Sequence, residues 1–79
     1  NPRYLAYCHA NRLSPETQMK ADEDKYPGGR MCGFILWIAD KLKTFKKDYP
    51  ECLIAGDRLT ELGQDMFTNW LMGLEVGAA

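Results

Sequence analysis

The chain predicts an all-α fold, a small single-domain bundle of about four helices. Three observations carry that expectation. Two helix-start signals, Asn1-Pro2 and Ser14-Pro15, stand close together near the beginning of the chain. Each is a capping residue followed by proline at the first helical position, where a missing N–H costs nothing. Two longer stretches further on space their apolar residues by three and four, as a helix with one buried face requires. No alternation of period two, the mark of a half-buried strand, is present.

In the first helix Tyr4, Leu5 and Cys8 fall along one face, and Asn11 is suited to the left-handed residue that ends it. The second helix has Met19 as its sole strong apolar residue. Glu16, Asp22, Glu23, Asp24 and Lys25 are expected to keep it wet. Glu16 suits the positive end of the helix dipole, and the acidic cluster at 22–24 sits at the unfavourable end. Pro27-Gly28-Gly29 then breaks the chain.

The third helix is expected from Arg30 to Lys47, with Met31, Phe34, Ile35, Ile38, Leu42 and Phe45 as its apolar stripe. Trp37 broadens the buried face, so contact on two sides is expected. Gly33 inside the helix costs up to ~1 kcal/mol against alanine, which close approach of another element would explain. Tyr49-Pro50 stops the helix, because the residue before proline avoids the α region. Cys52, Leu53 and Ile54 are expected to turn over the core. Asp57 or Thr60 then caps a fourth helix in which Leu59, Leu62, Met66, Phe67, Trp70, Leu71 and Leu74 keep helical spacing. Residues 74–79 are expected as a frayed tail, and the third and fourth helices as the packed centre.

At 79 residues there is room for one domain spanning 1–79 and for one core. A chain of this size buries only ~60% of its unfolded surface, near the lower limit for independent folding. Hydrophobic residues make up 46% of it, which argues against disorder. The formal net charge of −1 gives no general pull toward nucleic acid or anionic membrane. Cys8, Cys32 and Cys52 are odd in number and widely spaced, so free thiols in a reducing compartment are expected rather than a disulfide framework. With no run of transmembrane length and no signal-peptide pattern, the expected location is the cytoplasm.

Chemistry-bearing groups are sparse. His9 is the single histidine, and its neighbour Cys8 points about 100° away on a helix. Cys8, His9, Cys32 and Cys52 have the stoichiometry of a zinc site without the close ligand pairs that such sites use. Gly28-Gly29 lacks the frame and the following Lys-Ser/Thr of a phosphate loop. Glu61 and Asp65 share one helix face as solvated charges. No catalytic residue, metal ligand or cofactor is expected, and the chain reads as a non-enzyme.

Two binding chemistries remain. Tyr7, Tyr26, Trp37, Tyr49 and Trp70 are candidate anchors for a protein partner, since tyrosine and tryptophan are enriched at interface hot spots. Alternatively, Lys41, Lys43, Lys46 and Lys47, with Arg30 at the other end of the same helix, could contact nucleic-acid phosphates. The plainer role of the four lysines is to neutralise the negative end of the helix.

The segment Tyr26-Pro27-Gly28-Gly29-x-Met31-x-Gly33-Phe34-x-x-Trp37-Ile38, preceded by Tyr4-x-x-Tyr7-Cys8 and followed by Phe67-x-x-Trp70-Leu71, resembles small uncharacterised proteins encoded by bacteriophages and prophages. The resemblance brings no activity with it. It implies a bacterial cytoplasm during infection or lysogeny, and a small protein that acts by binding a host or phage protein.

Overall fold

A computed structural model describes residues 1–54 and 58–75 of the chain. Four helices carry it: α1 (Pro2–Asn11), α2 (Pro15–Lys25), α3 (Cys32–Asp48) and α4 (Glu61–Glu75). A single 3₁₀ turn (Pro50–Cys52) and a two-stranded hairpin, β1 (Leu53–Ile54) and β2 (Arg58–Leu59), lie between α3 and α4. The fold is the small, mostly helical domain that the sequence predicts.

Both proline-led starts form as the local chemistry dictates. The Asn1 side chain accepts from Arg3 N at 2.9 Å, and the Ser14 hydroxyl accepts from Thr17 N at 3.3 Å. The left-handed residue that ends α1 is Arg12 (φ 58°), one position beyond the expected Asn11. Backbone N–H groups of Arg12 and Leu13 close on the carbonyls of His9 and Cys8, both at 3.1 Å, in a Schellman arrangement. In the α2–α3 turn Gly29 has φ +102°, a conformation that L side chains rarely adopt. At the start of α4 the Thr60 hydroxyl accepts from Gly63 N at 2.9 Å, so Thr60 is the capping residue. The alternative cap Asp57, the end of the 51–56 connection and residues 76–79 of the expected tail lie outside the described residues. Helix α4 continues through Glu75, one residue past the expected onset of fraying.

The hairpin departs from the sequence reading, which found no strands. Leu53 pairs with Leu59 and Ile54 with Arg58 in antiparallel register, and Thr60 N donates to Cys52 O at 2.8 Å. Two-residue strands are too short to show alternation, which is why the pattern is silent there.

The core has two parts. The larger gathers Ala6, Phe45, Cys52, Leu59, Phe67 and Leu71, with Tyr49 and Trp70 packed against it. The smaller gathers Tyr4, Tyr7 and Cys8, with Met19 and Phe34 against them. Trp37 touches both clusters, so α3 is contacted on two sides as expected. The most extensive helix pairing is α1 on α4 rather than the expected α3 on α4. Arg3 explains part of this: its guanidinium donates to Thr68 Oγ1 at 2.9 Å and Gln64 Oε1 at 2.8 Å, and lies 4.9 Å from the Phe67 ring centroid.

The apolar stripes are rotated relative to their expected positions. Met31 just before α3, Ile35 on α3, Leu5 on α1 and Leu62 and Met66 on α4 are exposed. On α3 the inward direction is set by Trp37 and Phe45, which leaves Ile35 on the far side. On α4 it is set by Phe67 and Leu71, both fully buried.

Gly33 is buried against other elements. A Cβ there would sit 2.5 Å from Tyr7 Oη and 3.0 Å from both Asp22 Oδ2 and Tyr26 Cε2. Gly33→Ala is therefore expected to destabilise the fold by about 1–3 kcal/mol through overpacking. Urea denaturation of Gly33→Ala, Tyr7→Phe and the double variant should show coupling of about 1 kcal/mol, because removing the hydroxyl relieves the worst contact. Strictly additive effects would contradict the crowding.

Candidate functional site

Helix α2 has little apolar surface to bury, yet it buries Gln18 and Asp22, only 3% and 4% exposed. These residues are four apart and share a face. Tyr7 of α1 donates its hydroxyl to Asp22 Oδ2 at 2.7 Å, and Gln18 Nε2 donates to Asp22 Oδ1 at 3.1 Å. Gln18 Nε2 also lies 3.4 Å from the Tyr7 hydroxyl oxygen. The expectation that Asp22 is a solvated charge is corrected by this arrangement: two neutral donors hold it inside the fold. Among the described residues Asp22 takes part in no ion pair, and Gln18 Oε1 is buried with no hydrogen-bond partner.

A cleft of about 480 Å³ opens beside this cluster, between α1, α2 and α3. Tyr7, Tyr26 and Trp37 contribute rings to its lining, and Gln18, Asp22 and Lys25 contribute polar groups. The Tyr7 and Trp37 ring centroids are 5.4 Å apart at an interplanar angle of 50°. Lys25 Nζ lies 5.2 Å from the Tyr26 ring centroid.

A second cleft, of about 430 Å³, runs along the C-terminal half of α3 toward the hairpin. Lys43, Lys46 and Lys47 line it together with Ala39, Leu42 and Leu53. The structure thus brings together three of the five expected basic residues. Lys41 is turned elsewhere, with Nζ 5.7 Å from the Trp37 ring centroid. Arg30 is exposed before the start of α3, about 15 Å or more from the lysine cleft at 1.5 Å per helical residue.

Of the five expected interface aromatics, Tyr7 is buried and its hydroxyl is committed to Asp22. Tyr26, Trp37, Tyr49 and Trp70 are half-buried. Tyr49 and Trp70 pack in tilted arrangements around Phe45, with centroid distances of 4.9 and 5.4 Å. Most of the ring surface is therefore used inside the molecule. The sequence reading places Asp22 among solvated charges and does not single out Gln18. Their spacing of four on a nearly apolar-free helix was the signal that could have found them.

His9 is exposed at the end of α1, Cys8 and Cys52 are buried and Cys32 is half-buried, all three as free thiols. Cys52 Sγ lies 3.7 Å from Met66 Sδ. Among the described residues, no three His, Cys, Asp or Glu side chains come together in a group that could hold a metal ion. No described helix is long and apolar enough to cross a membrane. In comparisons with known proteins, no family model, curated protein or solved structure matches the chain.

Burial raises the pKa of Tyr7 well above the ordinary tyrosine value of 10.0, and its hydrogen bond to the Asp22 carboxylate raises it further. Burial likewise raises Tyr4 above 10.0 and the Cys8 thiol above 9.0. A proton held more tightly in the folded state stabilises the fold only while the unfolded chain would also keep it. Stability from these groups is thus complete below pH 9.0, the lowest of their ordinary values, and is lost as pH rises beyond it. The thermal midpoint should fall steadily above that pH. Tyr7→Phe, less stable at neutral pH, should show a shallower alkaline fall. Parallel profiles would remove Tyr7 from the effect.

Proposed function

We propose that this chain is a non-enzymatic protein that binds and modulates another protein, using the exposed apolar end of α3. The observation that carries this reading is a cluster of large aliphatic side chains left outside. Met31, Ile35 and Leu36 lie within six residues of each other at 40%, 58% and 58% exposure. Met31, the residue that caps α3, lies one turn from Ile35, whose N–H donates to the Met31 carbonyl at 3.0 Å. Leu62, 69% exposed, lies on α4 near the hairpin and is not part of this cluster. Side chains of this type grouped on one element mark interaction surfaces, whereas isolated ones do not. A phage or prophage setting, with a host or phage protein as partner in the bacterial cytoplasm, rests on the resemblance of the Tyr26–Ile38 segment and its flanking Tyr4-x-x-Tyr7-Cys8 and Phe67-x-x-Trp70-Leu71 motifs.

A second reading is favoured by one specific feature. The cleft lined by Lys43, Lys46 and Lys47 offers clustered positive charge of the kind that contacts phosphates. It supports a nucleic-acid-associated regulator, with Lys41 and Arg30 outside the cluster.

Affinity capture from bacterial lysate, with and without nuclease, separates the two when run on three chains. These are the unaltered protein, Ile35→Glu/Leu36→Glu, and Lys43→Gln/Lys46→Gln/Lys47→Gln. The expected result is a near-stoichiometric protein that survives nuclease, is lost with the Ile35/Leu36 variant and is kept by the lysine variant. Capture that depends on nucleic acid and on the lysines would replace the first reading with the second. Because Ile35 and Leu36 are exposed, circular dichroism of that variant should match the parent.

A further inference from the structure

The cleft between α1, α2 and α3 has a chemical character that neither the apolar end of α3 nor the lysine cleft shares. We infer that it is a binding site for a guanidinium group, whether on an arginine side chain or on a small molecule. Its lining combines the aromatic side chains of Tyr7, Tyr26 and Trp37 with the carboxyl-bearing side chain of Asp22. Cations are attracted to aromatic faces, and a guanidinium also stacks on them and presents planar N–H donors to carboxylate and amide oxygens.

The acceptors in this lining are incompletely used. Asp22 accepts one hydrogen bond on each oxygen from neutral donors, and among the described residues no cation pairs with it. Gln18 Oε1, on a residue only 3% exposed, has no partner at all. A buried charge without a counter-charge and a buried acceptor without a donor are both costly, and both are relieved by one cationic donor group. Lys25 occupies part of the same space, with its ammonium 5.2 Å from the Tyr26 centroid. That placement shows a ring face of the cleft in contact with a cation, and it makes Lys25 a competitor that an incoming guanidinium must displace. The cleft volume of about 480 Å³ lies within the usual range for small-ligand sites.

The test is a nuclear magnetic resonance titration of the intact chain with Nα-acetyl-arginine methylamide, using the uncharged citrulline analogue as control. Saturable shifts are expected at the Trp37 indole N–H and the Gln18 side-chain amide. The Trp70 indole, which packs in the other cluster, should stay still. The citrulline analogue should cause no saturable shift. Lys25→Met should tighten binding about threefold or more by removing the competing cation. Asp22→Asn should weaken it about tenfold or more. Absence of shifts at millimolar probe, equal response to citrulline, or unchanged affinity in Lys25→Met would overturn the assignment, even if Asp22→Asn fails to fold. A short arginine-containing peptide distinguishes the sources: much tighter binding than the free amide points to a protein's arginine, equal binding to a small molecule. The assignment is independent of the α3 surface, whose Ile35→Glu/Leu36→Glu variant should bind the probe as the parent does.

Discussion

A carboxylate carried into the interior of a protein loses most of its hydration, and Asp22 does so on a helix with almost no apolar side chains to draw it in. Helix α2 docks because Asp22 and Gln18, one turn apart, meet the Tyr7 hydroxyl of α1, all within hydrogen-bond distance. The junction closes only because α3 presents Gly33 at the meeting point, where any side chain would collide with Tyr7 and Asp22. Three helices thus meet at this polar contact, with Met19 and Phe34 packed beside it. The geometry is demanding, since removing one partner of a buried charge leaves the charge exposed to an apolar surrounding.

Ordinary packing holds the rest, and Trp37 joins it to the polar junction. This side chain packs against both the cluster around Tyr7 and the cluster around Phe45 and Phe67. Arg3 completes the circuit by tying the start of α1 to α4 through hydrogen bonds and a ring contact. A long polar side chain here does the work of a core residue, burying its stem while its head finds acceptors. The prominence of α1 against α4 follows from this contact and from Ala6, whose small side chain is completely buried between larger ones.

Features governed by local backbone chemistry were legible in the sequence. Asn1-Pro2, Ser14-Pro15 and Tyr49-Pro50 act on their own neighbours, so they mark helix ends without knowledge of the rest of the fold. Gly33 was legible for a related reason, since a glycine inside an apolar helix has few explanations other than close approach. What the sequence could not show depends on partners distant in the chain. Spacing alone made Ile35 and Leu62 as eligible for the core as Phe45 and Phe67, and only the docking direction of each helix separates them. Asp22 looked like a member of an acidic, solvated run because its two donors, Tyr7 and Gln18, are recognised as such only once α1 and α2 are folded together.

The same rotation of the helices changes what kind of surface the molecule offers. Rings counted along the sequence suggested an aromatic interface, but Tyr49 and Trp70 are drawn in around Phe45, and Tyr7 is consumed by the junction. The large apolar residues left outside at the start of α3 are Met31, Ile35 and Leu36, none of them aromatic. A surface of Met31, Ile35 and Leu36 can bury apolar area against a partner, but it offers few directional groups to select one. Directional chemistry is concentrated instead beside α2, where Asp22, Gln18 with its unpaired amide oxygen, and the aromatic residues Tyr7, Tyr26 and Trp37 line one cleft. If one partner uses both, the aliphatic face would supply area and the cleft would supply choice, and α3 would link them because Ile35, Leu36 and Trp37 are consecutive residues on it.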